Sequence, residues 1–124
     1  MDRRHLRRQK IIQQLYTTFF DHTDDQEHHE KVTAILQSAS DLDEAIRAYA
    51  PRYEIDKIAK VDLAILRLAA YELLIEKQVP PKVVINEAVE LAKELGGDKS
   101  PSFINAVLGK IYEERYEPTH QEDK

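Results

Sequence analysis

The stretch Val61–Ile75, VDLAILRLAAYELLI, limits what this chain can become more than any other segment. Twelve of its fifteen residues are apolar. A helix with that pattern is hydrophobic nearly all round, so it persists in water only when other elements enclose it. Asp62, Arg67 and Glu72 break the run too often for a membrane span. At 124 residues the chain can bury roughly two-thirds of its unfolded surface in one core. The expectation is a bundle built around one central helix, predicted over Val61–Lys77.

Flanking segments supply the cover. Spacing predicts a first helix over Arg3–Phe20, with Ile12, Leu15, Tyr16 and Phe19 on its buried stripe. Asp21–Glu27 reads as a polar loop, and His28–Ala39 as a second helix through Val32, Ile35 and Leu36. Asp41 and Glu44 stand at capping-box spacing and would open a third helix that stops before Pro51. A short turn is expected at Asp56–Ala59. After Pro80–Pro81, the residues Ile85, Ala88, Val89, Ala92 and Leu95 recur at helical spacing. Gly96–Gly97 then reads as a left-handed helix stop. Ser100–Pro101 has the form of an N-cap followed by the first helical position, opening a last helix through Phe103, Ile104, Val107, Leu108 and Ile111. With three glycines and no strand-like alternation, the fold class is all-α. A single domain over residues 1–116 and a fraying polar tail over 117–124 are expected.

Charge is unevenly placed. Residues 1–10 hold Arg3, Arg4, Arg7, Arg8 and Lys10 against Asp2, a formal +4, which leaves −9 on the rest of a chain whose net charge is −5. Such asymmetry points to a polyanion contact on one patch. Arg3/Arg7 and Arg4/Arg8 are i,i+4 pairs of like charge near a helix N-terminus, where both repulsion and the dipole oppose them. They read as a functional cluster or as a solvated basic tail. Tyr16 lies beyond the basic face and reads first as core, with base contact as the alternative. Lys99 has no evident structural duty and sits at a helix start whose free N–H groups suit an anion. Ser100 is a cap whatever else it does, and Phe103 reads as core before stacking platform.

Other residues carry less. Arg67 and Glu72 either pair with neighbouring helices or reach solvent along a polar strip. His28–His29 lacks a second ligand pair on the same face, so no metal site is expected. No cysteine, phosphate loop or Ser/His/Asp signature is present, and neither an enzyme activity nor a cofactor is expected. The absence of cysteine fits a reducing cytoplasm, and the charged N-terminus lacks the apolar core of a secretion signal.

Three blocks together resemble the NusB family of bacterial transcription antitermination factors. They are Arg8-Gln9 through Gln13-Gln14-Leu15-Tyr16; Val61 through Leu73; and Val79-Pro80-Pro81-Lys82 through Lys93, continuing to Ser100 and Phe103-Ile104-Asn105-Ala106-Val107-Leu108. The resemblance implies a compact bundle of about seven helices in two packed subdomains. It implies binding of single-stranded boxA-type RNA in ribosomal RNA leader transcripts, jointly with the NusE-type small-subunit ribosomal protein and within the transcription elongation complex. Carried over by position, the RNA surface would use the basic helix, with Arg3, Arg4, Arg7 and Arg8, together with Tyr16, Gly97, Lys99, Ser100 and Phe103. The partner face would involve Asp56 and Asp62, and an acidic surface suits a basic ribosomal protein.

The chain departs from the family pattern in places. Gln9 and Lys99 stand where acidic residues are frequent, and Ile11 where a small one is. The segment between Phe20 and Asp41 is shorter than in typical members. The rival reading is a helical protein-interaction module that holds a basic ribosomal protein with little RNA contact. The RNA reading carries its own spatial expectation: the cationic start of the chain folds next to the amino end of the last helix, as one electropositive ridge.

Overall fold

The computed structural model describes residues 2–20, 29–50 and 55–116. The predicted loop at 21–27, the stop at Pro51 and the tail at 117–124 lie outside these residues. Among the described residues there are six α-helices rather than about seven, and no strand: α1 (Arg3–Thr17), α2 (Glu30–Gln37), α3 (Ala39–Tyr49), α4 (Lys60–Tyr71), α5 (Pro81–Leu95) and α6 (Ser100–Arg115). The segment expected as a turn at Asp56–Ala59 begins with a single 3-10 turn, Ile55–Lys57.

The apolar run forms α4, and burial follows from its composition. Ala64, Leu66 and Ala70 are wholly enclosed, with Ile65, Leu68 and Ala69 nearly so. Helices α1, α3, α5 and α6 all pack on it. Each Leu or Ile taken out of water there contributes about 1.5–3 kcal/mol, which makes α4 the element around which the others assemble. Beyond Tyr71 the helix widens into a π-turn, Glu72–Glu76, closed by the Lys77 N–H donating to the Glu72 carbonyl at 3.0 Å. Lys77 ends it in the left-handed region, at φ 55°.

Local chemistry sets the helix starts, in places differently from the sequence expectation. The Asp2 carboxylate caps α1 by accepting from the Arg4 N–H at 3.0 Å. His29 caps α2 through Nδ1, which accepts from the Lys31 N–H. Helix α3 begins at Ala39, ahead of Asp41, so Asp41 lies inside its first turn instead of capping it. The buried stripe of α1 runs through His5, Arg8, Ile11, Ile12 and Leu15; Tyr16, placed on that stripe by its spacing, lies at its edge and is 37% exposed. Among the described residues no helix is long and apolar enough to cross a membrane.

Candidate nucleic-acid interface

The arginines of α1 do not behave alike. Arg3, Arg4 and Arg7 are exposed and form no ion pair with any described residue. Arg8 turns inward and is 8% exposed. Its Nε and Nη2 donate to the two carboxylate oxygens of Glu72 at 3.1 and 2.9 Å. Lys31 Nζ donates to the same carboxylate at 2.9 Å and to Glu76 at 3.0 Å. Burial is the largest single influence and works against the Arg8 charge. The Glu72 hydrogen bonds, together with the negative charges of Glu72, Glu87 and Glu76, outweigh it and hold the guanidinium above its ordinary pKa. Arg8 thus anchors α1 to the end of α4, whereas its three neighbours present exposed cations with no ion-pair partner among the described residues. Arg4 and Arg7 border a cleft of about 190 Å³ with Lys31, Glu76 and Gln78.

On its other flank α1 meets α5 through polar side chains. The His5 ring lies between two carboxylates, with Nδ1 2.8 Å from Glu87 and Nε2 2.8 Å from Glu94. Carboxylates only accept, so this geometry is satisfied when both ring nitrogens carry protons. The hydrogen bonds to Glu87 and Glu94 raise the His5 pKa. Those from His5 and Gln9 lower that of Glu94.

The second half of the candidate surface is built by the α5–α6 turn. Gly96 is extended, not left-handed, and no glycine here has positive φ. It is needed for closeness: a β carbon at 96 would stand 2.6 Å from Ser100 Oγ and 2.7 Å from Ser100 Cβ. Ser100 is the first residue of α6, not its N-cap, which is Lys99. The Ser100 hydroxyl instead accepts from the Gly97 N–H at 3.0 Å and staples the turn shut. The expected role changes because Lys99 takes the cap position, which leaves the Ser100 hydroxyl to accept from the preceding turn.

Two adjoining depressions open beside this turn. One, of about 270 Å³, is lined by Lys57, Asp62, Lys99, Ser100 and Phe103 among others. The other, of about 430 Å³, is lined by Tyr16, Lys60, Asp62, Gly97 and Ser100 among others. Asp62 borders both, is 8% exposed, and its Oδ1 is buried with no hydrogen-bond partner. A buried acceptor left unmatched costs about 1–3 kcal/mol. Asp56 lies on the exposed surface of the 3-10 turn.

Of the residues singled out from sequence, Tyr16, Asp62, Gly97, Lys99, Ser100 and Phe103 come together at this end. Arg3, Arg4 and Arg7 do not join them. Arg4 and Tyr16 are twelve residues apart on α1, about 18 Å at the rise of an α-helix. The expected adjacency is therefore replaced by a ridge running the length of α1, with cations at one end and the depressions at the other. Sequence reasoning missed Lys57, Lys60 and Phe20. Lys60 Nζ stands 5.9 Å from the Phe20 ring centre, and Phe20 packs edge-on against Tyr16 at 5.1 Å. The available signal was two lysines at the entry to the central helix, Lys57 just ahead of it and Lys60 at its first position, in an otherwise acidic chain.

The sequence model of the NusB family matches residues 2–113. This chain belongs to the NusB family. A transcription antitermination protein NusB of Clostridium tetani (strain Massachusetts / E88) is 54% identical over 77 residues, covering 62% of this chain and 50% of that protein. One of Agathobacter rectalis is 49% identical over 82 residues, covering 66% of this chain and 63% of the relative. The chain thus spans about half to under two-thirds of the length of these curated relatives. The solved structure of T. maritima NusB superposes with a TM-score of 0.82 at 27% identity, covering 94% of each chain. The all-α bundle around α4 is accordingly the NusB fold.

Proposed function

We propose that this NusB-family chain is a non-enzymatic adaptor in transcription antitermination, acting in the cytoplasm as one domain over residues 1–116. It binds single-stranded boxA-type RNA jointly with a NusE-type ribosomal protein in the elongation complex. The observation that carries this reading is the set of exposed guanidinium groups of Arg3, Arg4 and Arg7, unpaired among the described residues, on an otherwise acidic protein. Cations kept unpaired at a helix N-terminus oppose the dipole and each other, so stability alone does not favour them. The name shared by the relatives, transcription antitermination protein, agrees with it. The strand follows α1 from these arginines to the Tyr16, Gly97, Lys99, Ser100 and Phe103 end. Phosphate contacts position it and exposed bases supply sequence choice. Arg8 holds α1 in place and adds no phosphate contact, while Asp56 and Asp62 face the partner.

Titrating labelled boxA-type RNA at several salt concentrations tests this. With four or five phosphates neutralised, log affinity falls against log salt with a slope of roughly −3, about −0.7 per phosphate. Replacing Arg3, Arg4 and Arg7 with Gln flattens the slope to roughly −1; an unchanged slope removes them from the site.

A second reading draws support from the formal −9 carried by residues 11–124, the share left when the +4 of residues 1–10 is set against the chain's −5. In it the protein is an interaction module that holds a basic ribosomal protein and barely touches RNA. RNA capture that needs the partner and ignores the arginine substitutions would decide for it.

A further inference from the structure

The first two turns of α1 carry the arginines that meet phosphate, yet few of their side chains touch the rest of the protein. From Arg3 to Arg8, the residues Arg3, Arg4, Leu6 and Arg7 are exposed, and only His5 and Arg8 turn inward. His5 is therefore the inward anchor of the first turn, and it is 7% exposed. Its ring reaches two carboxylates on α5, Glu87 from Nδ1 and Glu94 from Nε2, each at 2.8 Å. The other charges near this contact are engaged or more distant. Arg8 Nη1 stands 3.8 Å from Glu87, while Arg8 Nε and Nη2 are spent on Glu72. The neutral Gln9 amide donates to Glu94 at 2.9 Å, and Glu90 and Lys93 of α5 pair with each other at 3.3 Å. The charge balance between α1 and α5 thus turns on the His5 ring.

We propose that His5, as an imidazolium, is the positioning residue of the RNA surface, so that strand binding is coupled to one proton on its ring. The proposal rests on the RNA reading and deepens it. Both ring nitrogens meet oxygens that can only accept, so both contacts are hydrogen bonds only while both nitrogens carry hydrogen. Removing one proton sets a nitrogen lone pair against a carboxylate oxygen 2.8 Å away. That contact turns repulsive, and the first turn of α1 loses one of its two ties to α5. The same step deletes a positive charge next to Arg4 and leaves Glu87 or Glu94 uncompensated beside the path of the strand. Both effects act against phosphate. Linkage is reciprocal: if the protonated ring favours the strand, the bound strand holds the proton on the ring. His5 itself touches no phosphate and acts through the arginines it places.

Two readouts on the full chain test this. Ring-nitrogen NMR of His5 gives its protonation state and midpoint, and anisotropy of fluorescein-labelled boxA-type RNA gives affinity at the same pH values. The ring is doubly protonated at neutral pH. Parent affinity falls about fivefold as pH rises through the ring's midpoint, at the lower end of usual coupling between sites. His5→Gln binds at every pH like the alkaline parent, and the ratio of the two affinities cancels any titration of the RNA itself. Circular dichroism follows the fold of each protein over the same range. Glu94 lies at the edge of the contact, with 35% of its side chain exposed, so Glu94→Gln alters the charge without opening the core. It moves the ring midpoint and the affinity midpoint to lower pH together, a shift that a merely structural role leaves out of the RNA profile. The proposal is overturned if the ring is neutral at neutral pH or if the parent-to-variant ratio is constant with pH. It is also overturned if Glu94→Gln moves the ring midpoint alone. In each of these cases the arginine-dependent salt slope still stands if the RNA reading is right; its loss as well would bring down both.

Discussion

At position 96 the absence of a side chain decides how closely α5 and α6 can approach. An added β carbon would meet Ser100 Oγ at 2.6 Å and the Ala92 carbonyl at 3.0 Å. Gly96→Ala therefore costs about 1–3 kcal/mol, in the range of overpacking, and frees the Ser100 hydroxyl from the Gly97 N–H. Nothing stands within 4 Å of the corresponding atom at Gly97, so Gly97→Ala stays within about 0.5 kcal/mol. Urea unfolding of the two variants side by side checks the contrast. The glycine pair was legible in the sequence as a helix end. Its reason was not, because the clash is with a residue on the next helix and not with the backbone's own left-handed preference. Glu72 makes a second residue-scale case. It is 1% exposed and accepts from both Arg8 and Lys31. Glu72→Gln leaves buried charge uncompensated and lowers stability by about 3 kcal/mol. Arg8→Ala destabilises in the same way yet leaves the RNA salt slope as in the parent, which separates Arg8 from Arg3, Arg4 and Arg7.

Among the elements, the docking of α1 on α5 is electrostatic and depends on pH. His5 holds Glu87 and Glu94 together, with Gln9 also on Glu94 and Arg8 Nη1 3.8 Å from Glu87. The folded state raises the His5 pKa above its unfolded value, chiefly through the hydrogen bonds to Glu87 and then Glu94. The protonated ring is thus favoured by folding. Its contribution is complete below about pH 6.5, the unpaired value, and is lost as pH rises through the folded-state value. Glu94 is shifted down, so its share is present above the ordinary carboxylate range and is lost in acid. His5→Gln should therefore lower the melting temperature most in mildly acidic buffer, with the gap closing at alkaline pH. A gap that is constant with pH would refute the clamp. Other helix pairs are joined by charge as well. Arg67 bonds both oxygens of Asp43 at 2.8 Å and lies over Phe19, tying α4 to α3 and the end of α1. Arg115 holds Glu44 from α6 at 2.7 Å. The sequence left Arg67 and Glu72 between pairing and solvent; the fold resolves both as paired, because each faces a helix of opposite charge.

Seen whole, the molecule separates its charges along α1. The guanidinium groups of Arg3, Arg4 and Arg7 stand at one end, and Tyr16 with the α6 start at the other. A strand touching both must lie along the helix, so binding should depend on RNA length. Oligonucleotides long enough to cover about 18 Å of helix gain affinity from the arginines, and shorter ones do not. Measuring affinity against length for the parent and the Arg3/Arg4/Arg7→Gln variant checks this, since a gain that is equal in both would place the strand elsewhere. Composition, the apolar run of α4 and the three motif blocks were sufficient to give the all-α class, the order of the helices and the family, because hydrophobic period and helix-end chemistry are local properties of the chain. Which arginine points inward, whether Tyr16 is core or rim, and that Asp62 is buried beside Lys60 were decided only by packing. Those outcomes turn on which helix lies opposite each side chain, and distances across sequence separations such as 8 to 72 or 16 to 97 are set only when the whole bundle closes around α4.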